Sequence, residues 1–202
     1  MGFDMNAFSL AGKKAIVTGG AKKTGLCYGM AVALHDAGAE IVILDANSQV
    51  ENTVAELGGA KSGYHAVVAN LLDLNDLSNG FQQAISALGG RLDILVNGAG
   101  LQYRCPSEEF PEDAWDRIMG VNIKGVFFMS QLAGKVMLKQ GKGKIINIAS
   151  TNSFIGLRNM PAYVSSKGGV KQLTMALSSE WSGRGINVNA IAPGYMDTEM
   201  SK

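Results

Sequence analysis

Six short runs of apolar residues alternate along this chain with longer stretches of helical periodicity. The runs are mostly continuous Val, Ile and Leu, which is typical of strands buried on both faces. They are Ala15–Thr18, Ile41–Asp45, Tyr64–Ala69, Ile94–Asn97, Lys144–Ile148 and Asn187–Ile191. The helical stretches lie near Gly25–Ala37, Val50–Leu57, Asp73–Leu88, Pro111–Gln140 and Pro161–Gly183. Strict alternation of strand and helix predicts right-handed crossovers, and therefore a doubly wound parallel sheet in a three-layer αβα arrangement.

Composition and charge narrow the class of protein further. The chain has 202 residues, 47% of them apolar, so we expect one compact domain over residues 1–202. Its 18 basic and 17 acidic residues nearly cancel, which argues against a nucleic acid or membrane partner. No apolar run reaches the roughly 18 residues that a membrane span needs. The two cysteines fit a reducing, cytoplasmic compartment, and the isolated His35 and His65 predict no metal site.

Polar residues and glycines follow the ends of the predicted strands. Thr18, Asp45, Asn97, Ser150 and Pro193 all lie at such ends. Ligands of open parallel sheets bind beyond the carboxyl ends of the strands. The sequence therefore predicts that its chemistry converges on one edge of the sheet.

The first strand runs into the glycine-rich segment TGGAKKTGLCYG, which then enters a helix. Glycines at such a junction let the backbone approach a pyrophosphate, which free N–H groups and the helix dipole stabilise. Twenty residues after Gly25, Asp45 is well placed to accept hydrogen bonds from an adenosine ribose. Asp45 would repel a 2′-phosphate, whereas Lys22 and Lys23 would attract one unless they are simply solvated. The pattern predicts a Rossmann dinucleotide site that prefers NAD, with NADP as the less favoured cofactor.

Tyr163 and Lys167 lie four residues apart in PAYVSSKGG, thirteen residues after Ser150. Pro161 suits a first helical position, so the two side chains would fall one turn apart on one helix face. A neighbouring ammonium favours the phenolate and so lowers the pKa of the tyrosine. The pattern predicts a proton-transfer site, with Ser150 holding a substrate oxygen against the phenol. Ser153 is either a second substrate contact or a capping serine.

Six motifs together resemble the short-chain dehydrogenase/reductase family. They are TGGAKKTGLCYG, NGAG, VNIKGVFF, IINIAS, YVSSK and NAIAPGYMDT, in the family's order through nearly the whole chain. The stretch from KGKIINIAS to GINVNAIAPGYM is similar to the gluconate 5-dehydrogenases and 2-deoxy-D-gluconate 3-dehydrogenases of that family. The resemblance implies an oxidoreductase that transfers a hydride between NAD(P) and a secondary alcohol or ketone, with a sugar acid or polyol as the expected substrate.

The resemblance also implies roles for residues at matching positions. Tyr163 corresponds to the general acid/base, and Lys167 to the residue that lowers its pKa and binds the nicotinamide ribose. Ser150 corresponds to the residue that polarises the carbonyl, and Asn122 to the position that organises a water beside Lys167. The implied cofactor-binding set is Gly19, Lys23, Gly25, Leu26, Asp45, Asn70, Leu71, Asn97, Gly98, Tyr163, Lys167, Pro193, Gly194 and Thr198, with Ile191 flanking the nicotinamide.

Several positions depart from the family's pattern. The glycine expected at Lys23 stands instead at Gly25, as though two residues were inserted. Cys27 replaces the next glycine, and its side chain would crowd the approach of the helix to the pyrophosphate. Asn70 stands where an aspartate is common. The family continues beyond Lys202 with a helical lid and a last strand, so we expect a fragment that lacks the usual C-terminal strand.

The substrate and the partners are less strongly constrained. Gln102, Arg104 and Arg158 would suit the carboxylate of a sugar acid, or are equally well solvated loop residues. Alternative functions are an NADP-dependent 3-oxoacyl reductase, a cofactor-binding protein without turnover, and a structural fragment that self-associates. The resemblance implies a homodimer or homotetramer through the helices at Pro111–Gln140 and Pro161–Gly183.

Overall fold

A computed structural model describes residues 5–198 of the chain. Its six parallel strands form one sheet in the order β3-β2-β1-β4-β5-β6. The strands are β1 (Lys14–Thr18), β2 (Glu40–Asp45), β3 (Tyr64–Val68), β4 (Ile94–Asn97), β5 (Gly143–Ile148) and β6 (Ile186–Ile191). The strand order reverses between β1 and β4, which places a ligand-binding crevice there. The predicted doubly wound α/β sheet is confirmed, with strand ends that differ from the prediction by at most one residue.

Six α-helices connect or follow these strands and cover both faces of the sheet. They are α1 (Leu26–Asp36), α2 (Gln49–Glu56), α3 (Leu74–Ala87), α4 (Glu112–Met119), α5 (Val126–Gln140) and α6 (Pro161–Trp181). One apolar cluster joins the sheet to Phe81 of α3, Met129 of α5 and Trp181 of α6. A second cluster joins the other face to Ala31 of α1 and Val50 of α2. The fold therefore has the predicted three layers.

The helix predicted over Pro111–Gln140 is present over Glu112–Gln140, but it contains a π-helical turn that the sequence did not predict. A π-helical turn, Gly120–Gly125, separates α4 from α5. A Cβ atom on Gly120 would lie 2.5 Å from Leu72 Cδ2, and one on Gly125 would lie 3.1 Å from Leu71 Cβ. Glycines at both ends thus let the widened turn press against the segment after β3, and such turns often occur at functional sites.

Strand register brings the carboxyl ends of the central strands to one level. Thr18 pairs with Asn97 across β1 and β4, and Asn97 pairs with Asn147 across β4 and β5. Thr18 Oγ1 accepts hydrogen bonds from the backbone N–H groups of Gly98 (3.0 Å) and Ala99 (3.2 Å). The loop after β4 is therefore fixed to the end of β1, at the switch in strand order.

Two expectations concern the ends of the chain. Within residues 5–198 no strand pairs with the outer edge of β6. The single-domain prediction also covers residues 1–4 and 199–202, which lie outside the described residues.

None of the helices between residues 5 and 198 has the length and apolar character of a membrane span.

Candidate active site

A cavity of about 780 Å³ opens at the carboxyl edge of the sheet. This volume lies within the range of small-molecule and cofactor sites. Its wall includes most of the residues that the sequence predicted for the site: Gly19, Gly25, Leu26, Asp45, Asn70, Leu71, Gly98, Ser150, Tyr163, Lys167, Pro193, Gly194 and Thr198. The fold thus brings together residues that lie up to 179 positions apart, from Gly19 to Thr198.

Four of the predicted residues lie elsewhere. The Lys23 ammonium forms an ion pair with the Glu56 carboxylate of α2, and Glu56 raises the pKa of Lys23. Asn97 and Asn122 are buried behind the cavity wall, and Ile191 is about half exposed on β6. The structure therefore separates Lys23 from its neighbour Lys22, which does line the cavity.

Lys167 is a buried cation beside the phenol of Tyr163. Its Nζ lies 5.8 Å from the centroid of the Tyr163 ring and donates a 2.6 Å hydrogen bond to the Ile148 carbonyl. Burial lowers the pKa of Lys167 to about 8. Removal from water disfavours the charged ammonium, so this lysine holds or releases a proton close to neutral pH.

The pKa of Tyr163 differs from the sequence-based expectation. Burial raises this pKa, and a hydrogen bond with the Ser150 side chain lowers it by less. The lowering by Lys167 that the sequence predicted is not seen, and the Lys167 ammonium donates its hydrogen bond to the Ile148 carbonyl instead. Tyr163 is thus a protonated phenol at neutral pH, with the Ser150 hydroxyl as its neighbour.

The two serines after β5 form a reciprocal cap. Ser150 Oγ accepts a hydrogen bond from Asn152 N (3.1 Å), and Ser153 Oγ accepts one from Ser150 N (3.3 Å). Ser153 Oγ also donates to the Lys167 carbonyl at 2.7 Å. Ser153 is therefore a capping residue that ties this loop to α6, and Ser150 is the one that lines the cavity.

Asn122 lies in the π-helical turn and holds the loop after β4. Its Oδ1 accepts from Leu101 N (2.7 Å), while its Nδ2 donates to Leu101 O (2.9 Å) and Ser166 Oγ (3.0 Å). A Cβ atom on Gly100 would lie 3.4 Å from Asn122 Oδ1 and 3.8 Å from Lys167 Nζ. Asn122 thus joins this loop to α6 directly behind Lys167.

The glycine loop and the start of α1 are shaped to receive a phosphate. Gly25 caps α1 without a side-chain hydrogen bond, which leaves the N–H groups of the first turn for an anion. Asp45 accepts from Ala21 N (3.0 Å) and Asn47 N (2.9 Å), so it fixes the inserted loop from the end of β2. The residues present therefore fit a dinucleotide, with a phosphate at α1 and a ribose at Asp45.

Cys27 fills the space between α1 and the loops after β1 and β4. A Cβ atom added to Gly98 would lie 2.4 Å from Cys27 Sγ, and one added to Gly19 would lie 3.3 Å from it. Burial raises the pKa of the thiol to about 11, so it is neutral at physiological pH. The missing side chains of Gly98 and Gly19 thus leave room for Cys27, which forms part of the cavity wall.

We expect Gly98→Ala to lower the free energy of unfolding by about 1–3 kcal/mol, because the new methyl group overlaps Cys27 Sγ. Cys27→Ala removes that sulfur and leaves its Cβ at an ordinary 3.6 Å, so the loss should shrink in the double variant. Gly29→Ala is the matched control, since nothing lies within 4 Å of a Cβ there. Urea unfolding of the four proteins would measure this, and an equal loss with and without Cys27 would contradict it.

Several residues of the cavity wall were not predicted as site residues. Gln102 and Arg104 line the cavity as one of the two open readings suggested, whereas Arg158 lies outside it. Arg117 of α4 also lines it. Leu157 and Tyr195 complete a partly apolar rim. Among residues 5–198 there is no cluster of His, Cys, Asp and Glu suited to a metal ion.

Comparison with known proteins places this fold and site. The family model described as short chain dehydrogenase matches residues 13–202. The chain is 45% identical over 195 residues to the 2-dehydro-3-deoxy-D-gluconate 5-dehydrogenase of Escherichia coli (strain K12). The aligned region covers 96% of this chain and 76% of that protein. The chain belongs to the short-chain dehydrogenase family. It is an NAD(P)-dependent oxidoreductase that acts on CH–OH groups.

Two crystal structures illustrate the similarity of fold. A gluconate 5-dehydrogenase from Burkholderia cenocepacia J2315, in complex with NADP and tartrate, superposes with a TM-score of 0.90 at 33% identity. The match covers 98% of this chain and 76% of that one. A 3-ketoacyl-(acyl-carrier-protein) reductase from Brucella melitensis, complexed with NADH, gives a TM-score of 0.89 at 32% identity, over 96% and 79% of the two chains.

Proposed function

We propose that this chain oxidises a secondary hydroxyl group of a sugar acid, or reduces the corresponding ketone, at the cavity beside Tyr163. The observation that carries the proposal is the pairing of the Ser150 and Tyr163 hydroxyls at the cavity wall, with the buried Lys167 behind them. That group of side chains can bind an alcohol oxygen and move its proton. The bound nicotinamide supplies hydride acceptance or donation.

The chain's own residues handle the proton. In the oxidative direction the substrate oxygen lies between Ser150 and Tyr163, and the phenolate of Tyr163 accepts its proton. Ser150 donates a hydrogen bond to the same oxygen and orients it. Lys167, whose pKa is about 8, can pass a proton near neutral pH, as an efficient relay requires. Asn122 fixes the backbone behind Lys167, where a water would continue the relay toward solvent.

In the reductive direction the raised pKa of Tyr163 is an advantage. A phenol that stays protonated at neutral pH can donate its proton to the developing alkoxide. Oxidation instead needs the phenolate, which requires positive charge near the ring. We propose that the Lys167 ammonium and the bound oxidised nicotinamide supply that charge together.

We propose NAD as the preferred cofactor, because Asp45 is the carboxylate at the ribose position of the cavity. Lys22 also lines the cavity and favours the 2′-phosphate of NADP, which the Burkholderia relative binds. Lys23 does not add to this charge, since it pairs with Glu56. The balance at this position therefore rests on Asp45 against Lys22.

Asp45→Ala is expected to weaken NADH binding by roughly ten-fold or more, since charge-assisted hydrogen bonds to the ribose are lost. NADPH binding should be unchanged or tighter, because the repulsive carboxylate is gone. Fluorescence titration with both cofactors would measure the two affinities. NADPH is the internal control: collapse of the loop that Asp45 holds would weaken both cofactors alike, and that outcome would refute a role in cofactor choice.

A sugar acid is the proposed substrate because Arg104 and Gln102 line the cavity after β4. The E. coli relative and others at 42–45% identity are named for sugar acids. These names support a sugar acid as substrate more than they support the alternative of a 3-oxoacyl reductase. A guanidinium matches a carboxylate in geometry and charge. We propose that Arg104 binds the carboxylate end of the substrate.

Arg104→Gln is therefore expected to raise KM for a sugar acid by roughly ten-fold, the size of one charge-assisted hydrogen bond. KM for a neutral polyol should not change, because the polyol has no carboxylate. Arg158→Gln serves as the matched control, since Arg158 lies outside the cavity wall. Steady-state rates with both substrate classes measure the effect. Equal losses for acid and polyol would contradict the assignment.

We further propose that residues 1–202 form one dinucleotide-binding domain, that the protein is cytoplasmic, and that it is a homodimer or homotetramer. The free thiols Cys27 and Cys105 support a reducing compartment. Exposed Trp115 on α4 and Met175 on α6 support association through these helices. Light scattering of the purified chain would measure its mass, and a monomer at all concentrations would contradict the assembly.

A further inference from the structure

We propose that a buried chain of hydrogen bonds, from Ser130 through Asn97 and Asn147 to Thr174, positions the proton-transfer residues. The proposal rests on the proposed function of Tyr163 and Lys167. None of these four side chains lines the cavity, and all are buried, with Thr174 the most exposed at 7%. They act as positioning residues, through the helices and strands that carry the reactive groups.

The hydrogen bonds between β5 and α6 fix the helix that bears Tyr163 and Lys167. Asn147 Nδ2 donates to Thr174 Oγ1 at 2.9 Å. Thr174 Oγ1 in turn donates to the Val170 carbonyl at 2.7 Å. Because Thr174 lies seven residues after Lys167, the two side chains fall two turns apart on the same face of α6. The bond from β5 thus sets the rotation and height of the face that presents Lys167.

The hydrogen bonds among β4, β5 and α5 orient the Asn147 amide. Asn97 Nδ2 donates to Asn147 Oδ1 and to Ser130 Oγ, both at 2.9 Å. Ser130 Oγ donates to the Val126 carbonyl at 2.7 Å. Since Asn147 Oδ1 is engaged as an acceptor, its amide nitrogen must face Thr174. The hydrogen bonds are therefore donated outward from Asn97, through Ser130 toward α5 and through Asn147 toward α6.

These buried hydrogen bonds join the strands and helices from which the proposed site is built. The loop after β4 begins at Gly98, directly after Asn97, and Ser150 follows β5 three residues after Asn147. α5 continues from the π-helical turn that carries Asn122. Apolar burial holds these elements together without specifying direction, whereas hydrogen bonds are directional. The buried hydrogen bonds therefore fix how these strands and helices are oriented beneath the site.

Thr174→Val tests the proposal, because valine keeps the shape of threonine and removes only the hydroxyl. We expect kcat to fall by roughly 10- to 100-fold, as a small misplacement of the reacting groups would cause, with KM and NADH affinity little changed. Thr174→Ser restores the hydroxyl and should recover most of kcat. Leu177→Val is the control for simple destabilisation, since Leu177 is a buried apolar residue three positions further along α6.

Hydrogen exchange supplies a readout that needs no substrate. In Thr174→Val, amides in the first turns of α6, around Tyr163 and Lys167, should exchange faster than in the wild type. In Leu177→Val of matched melting temperature they should not. If the wild type turns over no substrate, the proposed function fails while exchange still tests the positioning. If Thr174→Val does not fold, Ser130→Ala tests the far end of the chain by the same two readouts.

The outcomes separate cleanly. Loss of kcat with faster exchange in the first turns of α6, both recovered by serine, supports the positioning role. A Thr174→Val protein with normal kcat and normal exchange overturns it. So does a loss of kcat that Leu177→Val matches at equal stability, because the hydroxyl would then contribute stability alone.

Discussion

Tyr163→Phe is expected to lower kcat by about 10²–10⁴-fold, the contribution of a positioned general acid or base. Phenylalanine keeps the ring against Lys167 but removes the oxygen that exchanges a proton with the substrate. NADH affinity should change little, because the glycine loop and Asp45 are untouched. Steady-state rates in both directions, with a fluorescence titration of NADH, would measure the two quantities on the same preparation.

Tyr195→Phe is the matched control, since Tyr195 also lines the cavity but is 78% exposed. It should leave kcat close to the wild-type value. A Tyr163→Phe protein with nearly normal turnover would show that another group moves the proton. Equal losses in the two variants would show that the effect comes from the shape of the cavity.

Lys167→Met should have the second largest effect, a loss of kcat of about 10²–10⁴-fold with weaker NADH binding. Methionine fills a similar volume but cannot relay a proton or hold positive charge behind Tyr163. Lys171→Met is the control: Lys171 lies one turn further along α6 and outside the cavity, with its ammonium 4.6 Å from the centroid of the Phe154 ring. Retained turnover in Lys167→Met would contradict the relay.

The same variant tests the pKa of Lys167 through stability. The folded-state pKa is about 8, below the ordinary 10.5 of the unfolded chain. Between these values the unfolded chain binds more protons, so the unfolding free energy of the wild type should rise with pH relative to Lys167→Met. Below about pH 8 both states hold the proton, and the difference should be flat. If the difference in unfolding free energy between the two proteins stays flat up to pH 10.5, the pKa of Lys167 is not lowered in the folded protein.

The sequence predicted the elements that depend on local pattern. Runs of mostly Val, Ile and Leu predicted the strands, and the central strands β1, β2 and β4 are indeed buried on both faces. Glycines and polar residues at strand ends marked the cavity, because the carboxyl ends of parallel strands meet at one edge. Asp45 and Ser150 were predicted in this way, Tyr163 and Lys167 were predicted from their spacing on a helix, and the structure brings all four to one cavity.

Features that depend on tertiary contacts were not predicted. The π-helical turn between α4 and α5 lies against Leu72 and Leu71, which approach Gly120 and Gly125 and are distant from them in sequence. Lys23 leaves the cavity because Glu56 of α2 lies within reach of its ammonium. Burial opposes the low pKa expected for Tyr163, and burial is a property of the folded molecule.

The hydrogen-bonded chain beneath the site was also outside sequence reasoning. Asn97 was singled out for the cofactor, but its amide faces Ser130 and Asn147. Thr174 had no signal beyond its place on a helix two turns after Lys167. The asparagine within the apolar run KIINIAS is a signal that was not used: a buried amide requires partners inside the core.

Transfer of deuterium from the cofactor to the substrate carbon tests the central claim most directly. The purified chain would be given NADH deuterated at the transferable position of nicotinamide C4, together with a 5-keto sugar acid, and the product examined by mass spectrometry and NMR. We predict one deuterium on the new carbinol carbon with the wild type, and the same labelled product formed about 10²–10⁴-fold more slowly with Tyr163→Phe. A product formed without deuterium, or no product from any keto acid or ketose while NADH binds saturably, would contradict hydride transfer at this site.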